Sequence, residues 1–140
     1  MRGKIILVLL TLTFATAGQP ASNARGLQTD PSLQSFWTAF KLAVTKGDKQ
    51  SVTSMSRFPI EMPYGFPAIK TRTQFLKRYR EVFTVQADAI KCFVSATPRV
   101  EDKNGFTIGC KDKGGNENVV YGFAKKGGVW KLRFLDNIAE

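Results

Sequence analysis

Residues 31–140 read as a single α+β domain, with helices packed on one face of a curved antiparallel sheet. Two patterns predict this class. Up to Phe83 the apolar residues recur mostly at helical spacing, with one short alternating segment between. From Arg99 onward they alternate in strand fashion, and Asn-Gly and Gly-Gly turns separate the runs. A chain of 140 residues can bury one real core but not two.

Asp30-Pro31 starts the first helix, with Asp as N-cap and Pro at the first helical position. Leu33, Phe36, Trp37, Phe40 and Val44 share one face, and Gly47 is the stop. Asp48 caps a short second helix carrying Val52 and Met55. Phe58 to Met62 alternates as a short edge strand, where Pro59 is tolerated, and Pro63-Tyr64-Gly65 with Phe66-Pro67 breaks it into a loop. Thr71-x-x-Gln74 is a capping box for a third helix, whose stripe is Phe75, Leu76, Tyr79, Val82 and Phe83.

Asp88 to Ser95 fits two patterns. Ile90, Phe93 and Val94 suit a helical turn, Ile90, Cys92 and Val94 a strand, with the short helix slightly favoured. Arg99–Asp102 and Phe106–Lys111 form a hairpin around Lys103-Asn104-Gly105. After the turn at Gly114-Gly115-Asn116, Val119–Lys125 and Val129–Leu135 form another around Gly127-Gly128. Alternation assigns Phe106, Ile108, Cys110, Val119, Tyr121, Phe123, Trp130, Leu132 and Phe134 to the inner face, and Lys131 and Arg133 to the outer one.

The amino terminus predicts export. Arg2 and Lys4 precede a largely apolar run of 11 residues, Ile5 to Ala15, and Ala15-Thr16-Ala17 is a small-x-small cleavage pattern. A membrane anchor is the alternative, but the run spans only about half a hydrocarbon core. Residues 1–17 are therefore expected to be a signal peptide, with cleavage after Ala17 and a second possible site after Ala24. Residues 18–30 form a flexible lead-in. The product is expected in the periplasm or secreted, with no transmembrane segment. Loss of Arg2 and Lys4 takes the net charge from +10 to +8. In an oxidising compartment the only two cysteines, Cys92 and Cys110, are expected to pair; the alternative is two buried free thiols.

The chain has no histidine, which excludes Ser-His-Asp and Cys-His nucleophiles, a His base and His metal ligands. Two cysteines alone cannot complete a four-ligand zinc site, and no Walker loop, G-x-G-x-x-G or S-x-x-K occurs. No metal or other cofactor is implied.

Phe36-Trp37-x-x-Phe40, Gly47-Asp48, Phe58-Pro59-Ile60, Phe75-Leu76-x-x-Tyr79, Val82-Phe83 and Gly128-Val129-Trp130-Lys131-Leu132 resemble small exported proteins of the nuclear transport factor 2-like, or cystatin-like, superfamily. The resemblance implies a conical α+β half-barrel whose sheet wraps a long helix and leaves a cavity. Its members include isomerases, dehydratases, and transport and binding modules, so fold membership alone selects no function. The enzymes usually work with Asp, Tyr and often His, and the His is missing here.

Two candidate sites follow. Tyr64, Tyr79, Tyr121, Trp130 and Asp136 could line a small-ligand cavity, with Asp136 taken to continue the inner face of the last strand. Alternatively, the aromatics fill the core and Asp136 is exposed. The second candidate is basic: Lys111, Lys113, Lys125 and Lys126, read as clustered at adjacent hairpin tips, and a separate group of Lys70, Arg72, Lys77, Arg78 and Arg80. These would meet an acidic protein or an anionic envelope surface, or serve only as solvated charge; export argues against nucleic acid. The expected function is a non-enzymatic exported module that binds a small apolar ligand or a protein, with an isomerase or lyase using Asp136 and Tyr121 as the alternative. A homodimer formed through the sheet is the further possibility.

Overall fold

The computed structural model describes residues 30–139, so the expected signal peptide, its expected cleavage site and residues 18–29 of the expected lead-in lie outside the described residues. The helices start where side chains can accept the first free N–H groups. Asp30 accepts from Ser32 N at the start of α1 (Pro31–Thr45), and Asp48 from Ser51 N at the start of α2 (Lys49–Ser54). Gly47 ends α1 at φ 69°, a left-handed conformation costly for any residue with a Cβ. Thr71 caps α3 (Arg72–Arg80), which runs on into a π-helical turn, Glu81–Val85. Gln74 reaches back as a capping box requires, but to Lys70 N, one residue before the cap.

Residues 88–95 resolve as a helix, α4 (Ala89–Ser95), with Asp88 accepting from Lys91 N. Its buried face is Ala89 and Phe93, while Ile90 and Val94 are 42% and 70% exposed, so neither apolar triplet marks the core side.

The strands are β1 (Ser56–Glu61), β2 (Arg99–Asp102), β3 (Gly105–Lys111), β4 (Glu117–Lys126) and β5 (Val129–Ala139). They form one sheet in the order β1-β5-β4-β3-β2. The three hairpin pairs are antiparallel, whereas β1 lies parallel to β5, making the sheet mixed. Edge position suits β1, since Pro59, in a cis peptide with Phe58, can donate no ladder bond. Ile69 covers the outer side of β1 by pairing with Ile60.

The helices pack on one face of the sheet around an aromatic core containing Trp37, Phe40, Phe75, Phe83, Phe93, Phe106, Tyr121 and Phe123. The register of β4 and β5 slips between Gly122 and Phe123, leaving Arg133 as the extra residue of a β-bulge. Beyond it the alternation of β5 inverts. Leu135, not Phe134, is buried opposite Tyr121, and Phe134 lies across Gly122 on the other face.

Cys92 and Cys110 are disulfide-bonded, with Cα atoms 5.9 Å apart, joining α4 to β3. Only Gly105–Thr107 of β3 pairs with β2, so the staple also holds α4 beside the part of β3 that β2 leaves uncovered. Cys92→Ala with Cys110→Ala is expected to lower the unfolding free energy by about 3 kcal/mol, the loop-closure value for this span. An unchanged urea midpoint would show the staple to be energetically idle. A Cβ on Gly122 would fall 2.0 Å from the Phe134 ring. Gly122→Ala should therefore cost about 1–3 kcal/mol, and much less in a Phe134→Ala background. An equal cost in both backgrounds would mean that the ring is not what restricts the site.

Candidate functional site

Tyr79, Tyr121 and Trp130 all reach the helix-facing side of the sheet, where each is packed rather than lining open space. Tyr121 is fully buried, stacked on Phe83 at 5.8 Å and edge-on to Phe93 at 5.1 Å. Its hydroxyl donates to Val82 O at 2.7 Å. Burial, with Asp88 adding a smaller effect, pushes this phenol well above its ordinary range. Tyr79 lies 4.8 Å from Phe83, and its hydroxyl is buried with no hydrogen-bond partner among the described residues. Burial, then the charge of Asp48, raises its pKa to about 12.

Trp130 packs edge-on to Phe106 at 5.2 Å and donates its indole N–H to Ser32 Oγ at 3.0 Å. The same hydroxyl oxygen receives Lys125 Nζ at 3.2 Å, and Lys125 pairs with Asp30 at 2.7 Å. The hydrogen bonds from Lys125 and Ser32 hold the Asp30 carboxyl down at about 2. This cluster fastens the start of α1 to the β4–β5 turn.

The other two cavity candidates lie elsewhere. Tyr64 is 104% exposed at a loop tip, where no periodic pattern directs it inward. Asp136 is exposed because the bulge at Arg133 inverts β5; Asn137, not Asp136, takes the helix-facing position opposite Val119. Asn137 Oδ1 is buried without a partner among the described residues. An acid beside Tyr121 is therefore not what this strand presents.

The four hairpin lysines do not form one cluster. Successive turns lie at opposite ends of the strand they share; Lys111 is level with Asn118, which puts Lys111 and Lys113 roughly 25 Å or more along β4 from Lys126. Lys111 and Lys113 line a depression of about 370 Å³ with Lys91, but Asp88 and Asp112 stand in its wall. At the other end, Arg57, Lys125, Lys126 and Arg133 surround an open groove of about 500 Å³ over Phe58, Pro59 and Ala124, with no carboxylate in its lining. The bulge residue Arg133 donates to Arg57 O and Pro59 O at 3.3 and 3.1 Å, which fixes its guanidinium against β1. Arg57 and Arg133 were not legible as site residues, because only the parallel β1–β5 pairing brings them together.

Among the described residues no group of three or more Cys, Asp or Glu is arranged to hold a metal, and no helix is long and apolar enough to cross a membrane.

No family model matches the chain, and no curated protein does. Among solved structures it is similar to a domain of unknown function with a cystatin-like fold from Nostoc punctiforme, at 11% identity over 77% of this chain and 75% of that one, TM-score 0.45. It is also similar to a ketosteroid isomerase-like protein from Erwinia carotovora, at 12% identity over 76% and 92%, TM-score 0.46. A third is a nuclear transport factor 2-like protein with a cystatin-like fold from Novosphingobium aromaticivorans, at 13% identity over 77% and 79%, TM-score 0.42.

The buried phenols set a pH limit on stability. Both hold their protons above the ordinary value of 10.0, so their contribution is complete below that pH. It is lost as pH rises through about 10 and on past 12, while the unfolded chain releases its protons first. The urea midpoint should fall over that range, and Tyr79→Phe should flatten the fall. At neutral pH Tyr79→Phe should be neutral or stabilising, because it removes an unpaired buried hydroxyl. A steep loss of stability in Tyr79→Phe at neutral pH would contradict the unpaired assignment.

Proposed function

We propose that the chain is an exported, non-enzymatic binding module that holds an anionic ligand in the groove of Arg57, Lys126 and Arg133. The observation that carries this reading is the groove's lining: cations from β1, β4 and β5 converge on one depression, and no carboxylate lines it. Lys125 is answered by Asp30, so it orders the rim rather than binding. Arg57 and Arg133 favour ligands with paired oxygens, such as the phosphate, sulfate or carboxylate groups of an envelope polymer or an acidic protein segment.

The competing reading, an isomerase or lyase built on Asp136 and Tyr121, has its acid in solvent and its phenol engaged with Val82 O. The aromatic packing around Tyr79, Tyr121 and Trp130 likewise counts against a small apolar ligand held among them. Export rests on Arg2, Lys4, the apolar run that follows and Ala17, with residues 31–140 as the mature domain. The Cys92–Cys110 disulfide is compatible with an oxidising compartment.

The test is retention on immobilised heparin. Arg57→Glu with Lys126→Glu should weaken binding by about tenfold or more and lower the eluting salt, as expected for losing charge-assisted contacts. Lys111→Glu with Lys113→Glu makes the same charge change at the far end of β4 and should shift elution much less. Equal shifts would reduce the retention to net charge and overturn the groove.

A further inference from the structure

The loop between β1 and α3 presents a second surface, separate from the groove. Tyr64 is 104% exposed and Phe66 44% exposed, at the tip of a turn closed by Phe66 N donating to Pro63 O at 3.0 Å. The tip is braced from below. Pro63 is buried and Ile69 pairs with Ile60. Arg78 donates to Pro67 O at 2.7 Å while Glu81 grips the same guanidinium at 2.8 and 2.5 Å. Two large rings are therefore kept in water by a built support, at a hydration cost that burial would relieve.

The surroundings select the kind of partner. Residues 70–81 contain five cations and one carboxylate, and that carboxylate, Glu81, is committed to Arg78. Lys70, Lys77 and Arg80 are exposed. Tyr64 stands fully clear of its neighbours at the loop tip, with Phe66 half-exposed beside it. The feature is a knob rather than a socket, and a soft surface admits a knob without a matching hole. A ring with one polar end suits the headgroup level of a bilayer, and neighbouring lysines are attracted to anionic lipid.

We propose that this loop and the exposed side of α3 dock the protein on an anionic lipid bilayer, with Tyr64 and Phe66 entering the headgroup region and Lys70 and Lys77 meeting lipid phosphates. The test is co-sedimentation with mixed phosphatidylcholine–phosphatidylglycerol vesicles and with phosphatidylcholine vesicles alone. Binding is expected to the mixed vesicles only. Tyr64→Ser with Phe66→Ser should weaken it by roughly tenfold at an unchanged melting temperature. Lys70→Glu with Lys77→Glu should weaken it by about thirtyfold or more, and added salt should do the same. Arg57→Glu with Lys126→Glu should leave vesicle binding within about twofold.

No binding to the mixed vesicles would overturn the proposal. So would binding that survives the loop variant, or that is abolished by the groove variant alone. If the loop variant instead dissolves a self-association seen by sedimentation velocity, without vesicle binding in the parent, the knob belongs to a second copy of the chain and the lipid proposal fails. The heparin measurement reads the groove independently, so either idea can fail without the other.

Discussion

Phe40 is the contact on which the rest of the structure depends. It is fully buried on α1, and its ring lies within 6.4 Å of Phe36, Trp37, Phe83, Phe93 and Phe123. Those partners come from α1 itself, the π-helical turn, α4 and β4, so one side chain ties the helical layer to the middle of the sheet. Burying a ring of this size contributes about 1.5–3 kcal/mol, and each well-placed aromatic pair adds about 0.5–1.5 kcal/mol. The geometric effect is as important as the energy. Rings fill the helix-facing side of the sheet, and Tyr121 satisfies its hydroxyl at a backbone carbonyl.

With the interior packed by rings, charge defines the outside. Much of the acid in this chain is engaged locally: Asp30, Asp48 and Asp88 accept the first N–H groups of helices, and Asp112 accepts from Asn116 and Glu117 in a turn. Asp30 also neutralises Lys125, and Glu81 neutralises Arg78. Carboxylates used in this way stabilise the helix ends and turns where they sit and leave distant cations unanswered. Among the described residues, one result is the groove of Arg57, Lys126 and Arg133, where cations converge with no carboxylate in the lining.

Local chemistry was legible in the sequence because it acts over a few residues. The caps at Asp30, Asp48 and Thr71 and the stop at Gly47 formed as their residue types require. The hairpin expected at Asn104-Gly105 also formed, but it turns on Lys103 and Asn104, with Gly105 already paired to Asp102 and no positive φ at either Asn104 or Gly105. What was not legible is non-local. Nothing near Arg57 announces that β1 will run parallel to β5, and nothing near Arg133 announces a bulge. Tyr64 sat in a loop without periodicity, so no pattern constrained its direction. The separation of Lys111 from Lys126 differs from these, because two hairpins sharing β4 must turn at opposite ends, and the strand assignment already implied it.

The bulge at Arg133 has a wider meaning for how such a strand carries its chemistry. A two-residue repeat has a phase as well as a period, and one unpaired residue reverses the phase of everything after it. Phe134, Leu135, Asp136 and Asn137 owe their surroundings to parity rather than to hydrophobicity: an aromatic ring lies outside while an amide faces the helices. In β5, the exchange of an inward acid for an inward amide is a matter of counting residues, and substituting none of them would be needed to reverse it.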